Sequence, residues 1–203
     1  MDKTGITSIA ILLIAAIFFS GCTSISSFPV QSPVSSANDT EYKYLLLSSD
    51  DLPSWLVLAG DGPMQESDIS GTMKNYGIIK GYRALYADKL PLTDNTDKSK
   101  IMEQQIMVFG GANASAMLDD YQKSLEAIKN KNIVVVPLPD PNLGDKSFAL
   151  KVSTTVDLAG TETYRYVFGF ERSGICEILS MDGTPETYLA LAKVAERAAG
   201  KIR

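Results

Sequence analysis

Between Thr163 and Met181 the chain places Tyr164, Tyr166, Phe168 and Phe170 on every second residue, turns through Arg172-Ser173-Gly174, and returns as Ile175 to Met181. Alternate side chains of an extended chain share a face, so this hairpin carries a one-sided aromatic surface. Burying each ring is worth roughly 2–3 kcal/mol, and a surface of that kind needs a cover. The residues that follow can supply one. Thr184-Pro185 reads as an N-cap with proline at the first helical position, and Gly200 as the helix stop. Leu191, Val194, Ala195, Ala198 and Ile202 recur near one side, and the small ones let the helix lie close to a sheet. The aromatic stripe therefore reads as core, ahead of an apolar ligand groove. The connection, with glycine at its end, predicts a three-residue turn of type I plus bulge.

The preceding residues extend the same architecture. Tyr42 to Leu47 suits an opening strand or helical turn, and Asp50-Asp51-Leu52-Pro53 interrupts it. Trp55 to Leu58 reads as a short strand before a turn at Gly60-Asp61-Gly62-Pro63. Ile78 to Ala87 is strand-like with Tyr82, Ala84 and Tyr86 on one side, and Ile101 to Phe109 places Met102, Ile106 and Val108 together. Between these two strands, Asp88 to Lys100 reads as a loop. After Gly110-Gly111, the residues Ala114, Met117, Leu118, Tyr121, Leu125 and Ile128 recur at helical spacing behind Asn113 as N-cap. Ile133 to Val136 is a β-branched strand closed by Pro137, and residues 139–145 form a loop before a strand near Phe148 to Val152.

Strands then a helix, twice over, predict an α+β fold: a mainly antiparallel sheet with two principal helices packed on it. The order is that of two related half-units, although hydropathy supports a duplication more than residue identity does. Composition narrows the function. The net charge is −5 with no concentration of lysine and arginine, which argues against nucleic acid as a partner. The chain has no histidine, which removes Ser-His and Cys-His nucleophiles and imidazole-dependent zinc sites.

The N-terminus obeys different rules. Lys3 precedes an apolar run from Ile9 to Phe19, shorter than the roughly 20 residues of a membrane span and matched to the h-region of a signal peptide. The run ends in Phe19-Ser20-Gly21-Cys22. Small residues admit the chain to a peptidase site, and the thiol offers a group for acylation. The stretch resembles the lipobox of prokaryotic surface lipoproteins, bacterial or archaeal. That resemblance implies cleavage before Cys22, a lipid on its sulfur and a domain facing outside the cell membrane. An uncleaved anchor with Cys22 as a bystander is the competing arrangement. From Thr23 to Thr40 serine is abundant, with Pro29 and Pro33, and too little apolar surface exists to offset ordering entropy. A flexible tether of this length reaches roughly 25 Å. The expected organisation is a signal peptide over 1–21, lipidated cysteine and tether over 22–40, and one extracytoplasmic domain over 41–203.

Candidate sites are few. Cys176 sits between isoleucines in a strand, where a thiol acts as a small hydrophobe; with Cys22 lipidated, no intrachain disulfide remains. Gly60-Asp61-Gly62 lacks the third glycine and the helix of a dinucleotide fingerprint. Asp140, Asn142 and Asp145 miss calcium-loop spacing, with Lys151 where the bidentate glutamate belongs; Asp94 and Asp97 are a weaker case. No metal and no cofactor is expected. Gly110-Gly111 before a helix could hold an anion on free amides, or serve only as a tight connection. Asn38-Asp39-Thr40 and Asn113-Ala114-Ser115 are glycosylation acceptor sequences, with Asn38 the more accessible.

The leading expectation is a non-enzymatic binding or envelope-assembly module. Its partners would be the membrane, through the anchor, and an envelope protein or small ligand. A carboxylate-based extracytoplasmic hydrolase such as a glycosidase is the alternative, since its chemistry needs no histidine.

Overall fold

A computed structural model describes residues 39–65, 67–69, 71–89, 101–110, 113–128, 132–155 and 162–202. The signal peptide, Cys22, the tether as far as residue 38, Asn38, Asp94, Asp97 and Gly111 lie outside the described residues. The compact unit begins at Asp39.

Among the described residues the chain forms one seven-stranded antiparallel sheet and three α-helices. The strands are β1 (Leu56–Pro63), β2 (Ile78–Asp88), β3 (Ile101–Phe109), β4 (Ile133–Leu138), β5 (Lys146–Thr155), β6 (Glu162–Arg172) and β7 (Ile175–Asp182). The helices are α1 (Gly71–Asn75), α2 (Asn113–Glu126) and α3 (Pro185–Lys201). A 3-10 helix over Asp39–Leu45 opens the domain, so the helical turn is realised there and not the strand. The sheet order is β1-β2-β3-β7-β6-β5-β4, two meanders joined where β3 pairs with β7. None of the described helices is long and apolar enough to cross a membrane.

Strand parity sorts the core. Tyr166, Phe168 and Phe170 point to one side of β6, where Tyr188 of α3 lies 5.5 Å from both the Tyr166 and Phe168 ring centres. Leu191, Val194, Ala195 and Ala198 belong to the same buried cluster, together with Leu45, Leu47 and Tyr86. Gly169 points the other way. A Cβ there would overlap the Phe148 ring and come within 3.0 Å of Leu118 on α2, so only glycine admits this approach.

Several local expectations need correction. Gly60-Asp61-Gly62-Pro63 is not a turn, because β1 runs through it, paired to Tyr82–Leu85, with a bulge between Leu58 and Gly60. A bulge absorbs the glycines, and β1 is an edge strand, where proline is tolerated. Pro137 likewise does not close β4 but pairs with Leu150 inside it, at the opposite edge. The hairpin turn holds two residues, with Arg172 opposite Ile175. Ser173 and Gly174 have φ of 54° and 80°, the primed geometry whose twist matches the flanking strands. Serine is held in this conformation by its N–H donating to Asp145 Oδ2 (3.4 Å), while the Gly174 N–H donates to Glu171 Oε1 (3.1 Å). Gly200 does not stop α3, which continues to Lys201. Tertiary contacts hold that last turn: Ile202 is buried, and Lys201 reaches back to the start of the domain. Asn113 stands as the first residue of α2, exposed, and not before it. The short helix α1 had no counterpart in the sequence reading.

Candidate functional site

The singled-out residues divide into those closed in the core and those that build loops. Cys176 is fully buried, and burial pushes its thiol well above the ordinary range. Asp140 accepts from the Asn142 N–H (2.9 Å) and from the Ser147 hydroxyl, and Ser147 also accepts from the Leu143 N–H (3.0 Å). Asp145 turns to Ser173 instead, and its own N–H donates to the Glu171 carbonyl (2.7 Å). Gly144, at φ +68°, lies so close to that carbonyl that a Cβ would collide with it. This loop is thus fastened to the hairpin, and its carboxylates are engaged as hydrogen-bond acceptors. No group of three metal-ligating side chains occurs among the described residues. Asp61 accepts from the Tyr82 hydroxyl at 2.9 Å across the β1–β2 pair. Ser115, the third residue of the Asn113 acceptor sequence, donates its hydroxyl to Glu171 Oε2 at 2.8 Å.

The sequence reading missed a buried polar cluster on the α3 side of the sheet. Gln104 on β3 and Glu177 on β7 are both fully buried. Gln104 Nε2 donates to Glu177 Oε1 (2.6 Å) and to the Leu45 carbonyl (3.2 Å). Its Oε1 accepts from the Tyr86 hydroxyl (2.6 Å) and the Leu47 N–H (3.3 Å). The Leu47 N–H also reaches the Tyr86 oxygen at 3.1 Å. Glu177 Oε2 is buried with no hydrogen-bond partner. Burial raises the Glu177 pKa to about 8, against smaller lowering effects from the Gln104 hydrogen bond and the Lys201 charge. At neutral pH this side chain is a neutral acid, closed off from any substrate.

The cluster fixes the backbone of residues 45–47, and α3 fixes the next turn. Lys201 Nζ donates to the Leu46 carbonyl and pairs with Asp51 Oδ2, both at 2.6 Å. Burial raises the Asp51 pKa, but hydrogen bonds from Lys201 and from Ser48 outweigh it and leave the carboxyl below its ordinary value. Arg197 adds a bond to the Asp50 carbonyl at 3.1 Å.

The other buried carboxylate, Glu171, is paired in register with Cys176, the residue before Glu177, so the two acids point to opposite faces of the sheet. They cannot converge on one bond, as the flanking carboxylates of a glycosidase must. The exposed apolar side chains lie elsewhere. Val134 and Val136 on the edge strand β4 are 56% and 43% exposed, and Leu189 on α3 is 63% exposed. Val136, Lys151 and Tyr166 share a cross-strand row, and Lys151 Nζ stands 4.1 Å from the Tyr164 ring centre.

No protein-family description matches this chain, and no curated protein sequence matches it. Among solved structures, the fold is similar to the extracellular domain of PknH from Mycobacterium tuberculosis, with a TM-score of 0.54 at 9% identity. That similarity covers 77% of this chain and 93% of the other. LpqN, involved in cell envelope biogenesis in Mycobacterium tuberculosis, aligns with a TM-score of 0.35 at 11% identity, over 72% of this chain and 78% of that one.

Proposed function

We propose that this chain is an exported, lipid-anchored envelope protein whose sheet domain works outside the membrane as a non-enzymatic binding or assembly module. In this reading the run from Ile9 to Phe19 directs export, Cys22 becomes the acylated first residue, and the serine-rich stretch spaces the domain from the bilayer. The observation that carries it is the succession of apolar run, small pair, cysteine and low-hydropathy spacer ahead of a compact unit that starts at Asp39. Sharing a fold with an extracellular domain supports the same placement.

The interior supports a binding role over a catalytic one. Cys176, Glu171 and Glu177 on β6 and β7 are buried and spent on packing or on hydrogen bonds within the domain, while Glu103 on β3 and Asp182 on β7 are paired with Arg83 and Arg165. What the domain presents outward is a mixed surface with Val134, Val136 and Leu189 exposed. Cys22→Ala tests the anchor: in the native host the variant is expected to leave the detergent phase, or to accumulate as unprocessed precursor. A variant that matures normally and stays membrane-bound contradicts the proposal.

A further inference from the structure

Residues 45–55 are the path by which the chain enters the sheet domain. Three leucines, at 45, 47 and 52, seat this entry segment in the core, and Leu56 opens β1 beside them. Its backbone polar groups depend on Gln104 and Tyr86, and Gln104 in turn rests on Glu177. Glu177 is thus the floor of a relay that ends on the amide and carbonyl groups of the entry segment. Its second oxygen has no partner. A charge on that carboxyl would sit in a closed core with no hydrogen-bond partner on Oε2, and releasing the segment joined to it through Gln104 would admit water.

We propose that the Tyr86–Gln104–Glu177 cluster is a proton-dependent latch on the entry segment, which opens as Glu177 loses its proton. The groups facing Glu177 are consistent with this. Its cross-strand neighbours are Ile106 on β3 and Phe170 on β6, both apolar. Tyr86 on β2 stays protonated, chiefly because burial raises its pKa. Lys201 on α3 is the nearby cation, bound to Asp51 and the Leu46 carbonyl within the same segment, and Arg172, on the same face of β6, is bound to the Ala199 and Ile202 carbonyls. Asp51 and Asp61 are further carboxylates on that side, Asp51 paired with Lys201 and Asp61 accepting from the Tyr82 hydroxyl. Cys176 and Glu171 point to the opposite face. When the segment lifts, Lys201 loses its partners on it, so the two fastenings open together. The latch does not depend on whether Cys22 carries a lipid.

The sign follows from proton binding. The closed state holds the Glu177 proton more tightly than an open, hydrated one, so opening is favoured as pH rises. The opening constant should climb about tenfold per pH unit from the ordinary carboxylate range and level off near the closed-state value of about 8. Hydrogen–deuterium exchange on the full-length chain in detergent, from pH 5 to 9 and corrected for intrinsic rates, measures this at the Leu47 amide. The wild type is expected to show the tenfold slope at Leu47, through an opening insensitive to low urea and faster than exchange in β6. Glu177→Gln should abolish the slope. A pH-independent Leu47 amide, a slope retained in Glu177→Gln, or Leu47 and β6 exchanging at one urea-sensitive rate overturns the latch. Should Glu177→Gln fail to fold, the carboxyl carbon-13 titration of Glu177 in the wild type decides. A midpoint where the slope levels off supports the proposal, and a midpoint in the ordinary carboxylate range overturns it.

Discussion

Replacing Phe168 with alanine is expected to lower the stability of the domain by about 3–5 kcal/mol, enough to unfold a marginal fold. The ring is fully buried, stacks on Tyr188 of α3 at 27° between planes, and lies between Ala149 on β5 and Leu179 on β7. Removing it deletes both the transfer energy of the ring and its contacts, and the central strands leave little freedom to close the cavity. Urea unfolding of the full-length chain followed by circular dichroism measures the loss. An unchanged midpoint would mean that the aromatic face is a recognition surface, since a ligand-binding ring can be removed without disturbing the fold.

The second large effect has the opposite sign. Glu177→Gln is expected to stabilise the domain at neutral pH. The folded-state pKa of about 8 lies above the ordinary glutamate value, so the native state binds more protons than the unfolded chain. Stability is therefore full below the ordinary value and declines by about 1.4 kcal/mol per pH unit until Glu177 ionises in the folded state. At pH 7 the wild type has lost about 3 kcal/mol that glutamine, which does not ionise, would keep. Its oxygen can still accept from Gln104, while its extra N–H group faces the unpartnered site and returns about 1 kcal/mol of the gain. The variant should melt above the wild type at pH 7–8, with the difference closing toward pH 5. A wild type whose melting temperature is flat between pH 5 and 8 contradicts the buried neutral acid.

The two residues behind these predictions show where the sequence was legible. The stripe from Tyr164 to Phe170 announces a core face because all four members are aromatic and alternate without a break. Tyr82, Ala84 and Tyr86 likewise fall together, and all are buried. Gln104 carried the same signal unheeded: it stands between Met102 and Ile106 in period two, so parity alone places it on their buried face. Glu177 has the parity of Ile175, Leu179 and Met181. Polar residues in strands are usually assigned to solvent, and here the hydrogen bond between the two, with those of Gln104 to Tyr86 and the backbone of residues 45 and 47, makes burial tolerable. The errors at Gly60–Pro63, Pro137 and Gly200 share one cause. Glycine and proline end elements by local preference, but edge position and tertiary anchoring decided here, and neither is visible in a local window. The sequence places the turn within Arg172-Ser173-Gly174, but Arg172 belongs to the strand, and that one residue of register separates the three-residue class from the two-residue one observed.

Export and anchoring through Cys22 are the central proposal, and intact mass analysis of the mature protein from host membranes tests them most directly. The expected result is a chain that begins at Cys22 and carries the added mass of lipid on that residue. A chain that retains Met1, or one with an unmodified Cys22 thiol, would contradict it.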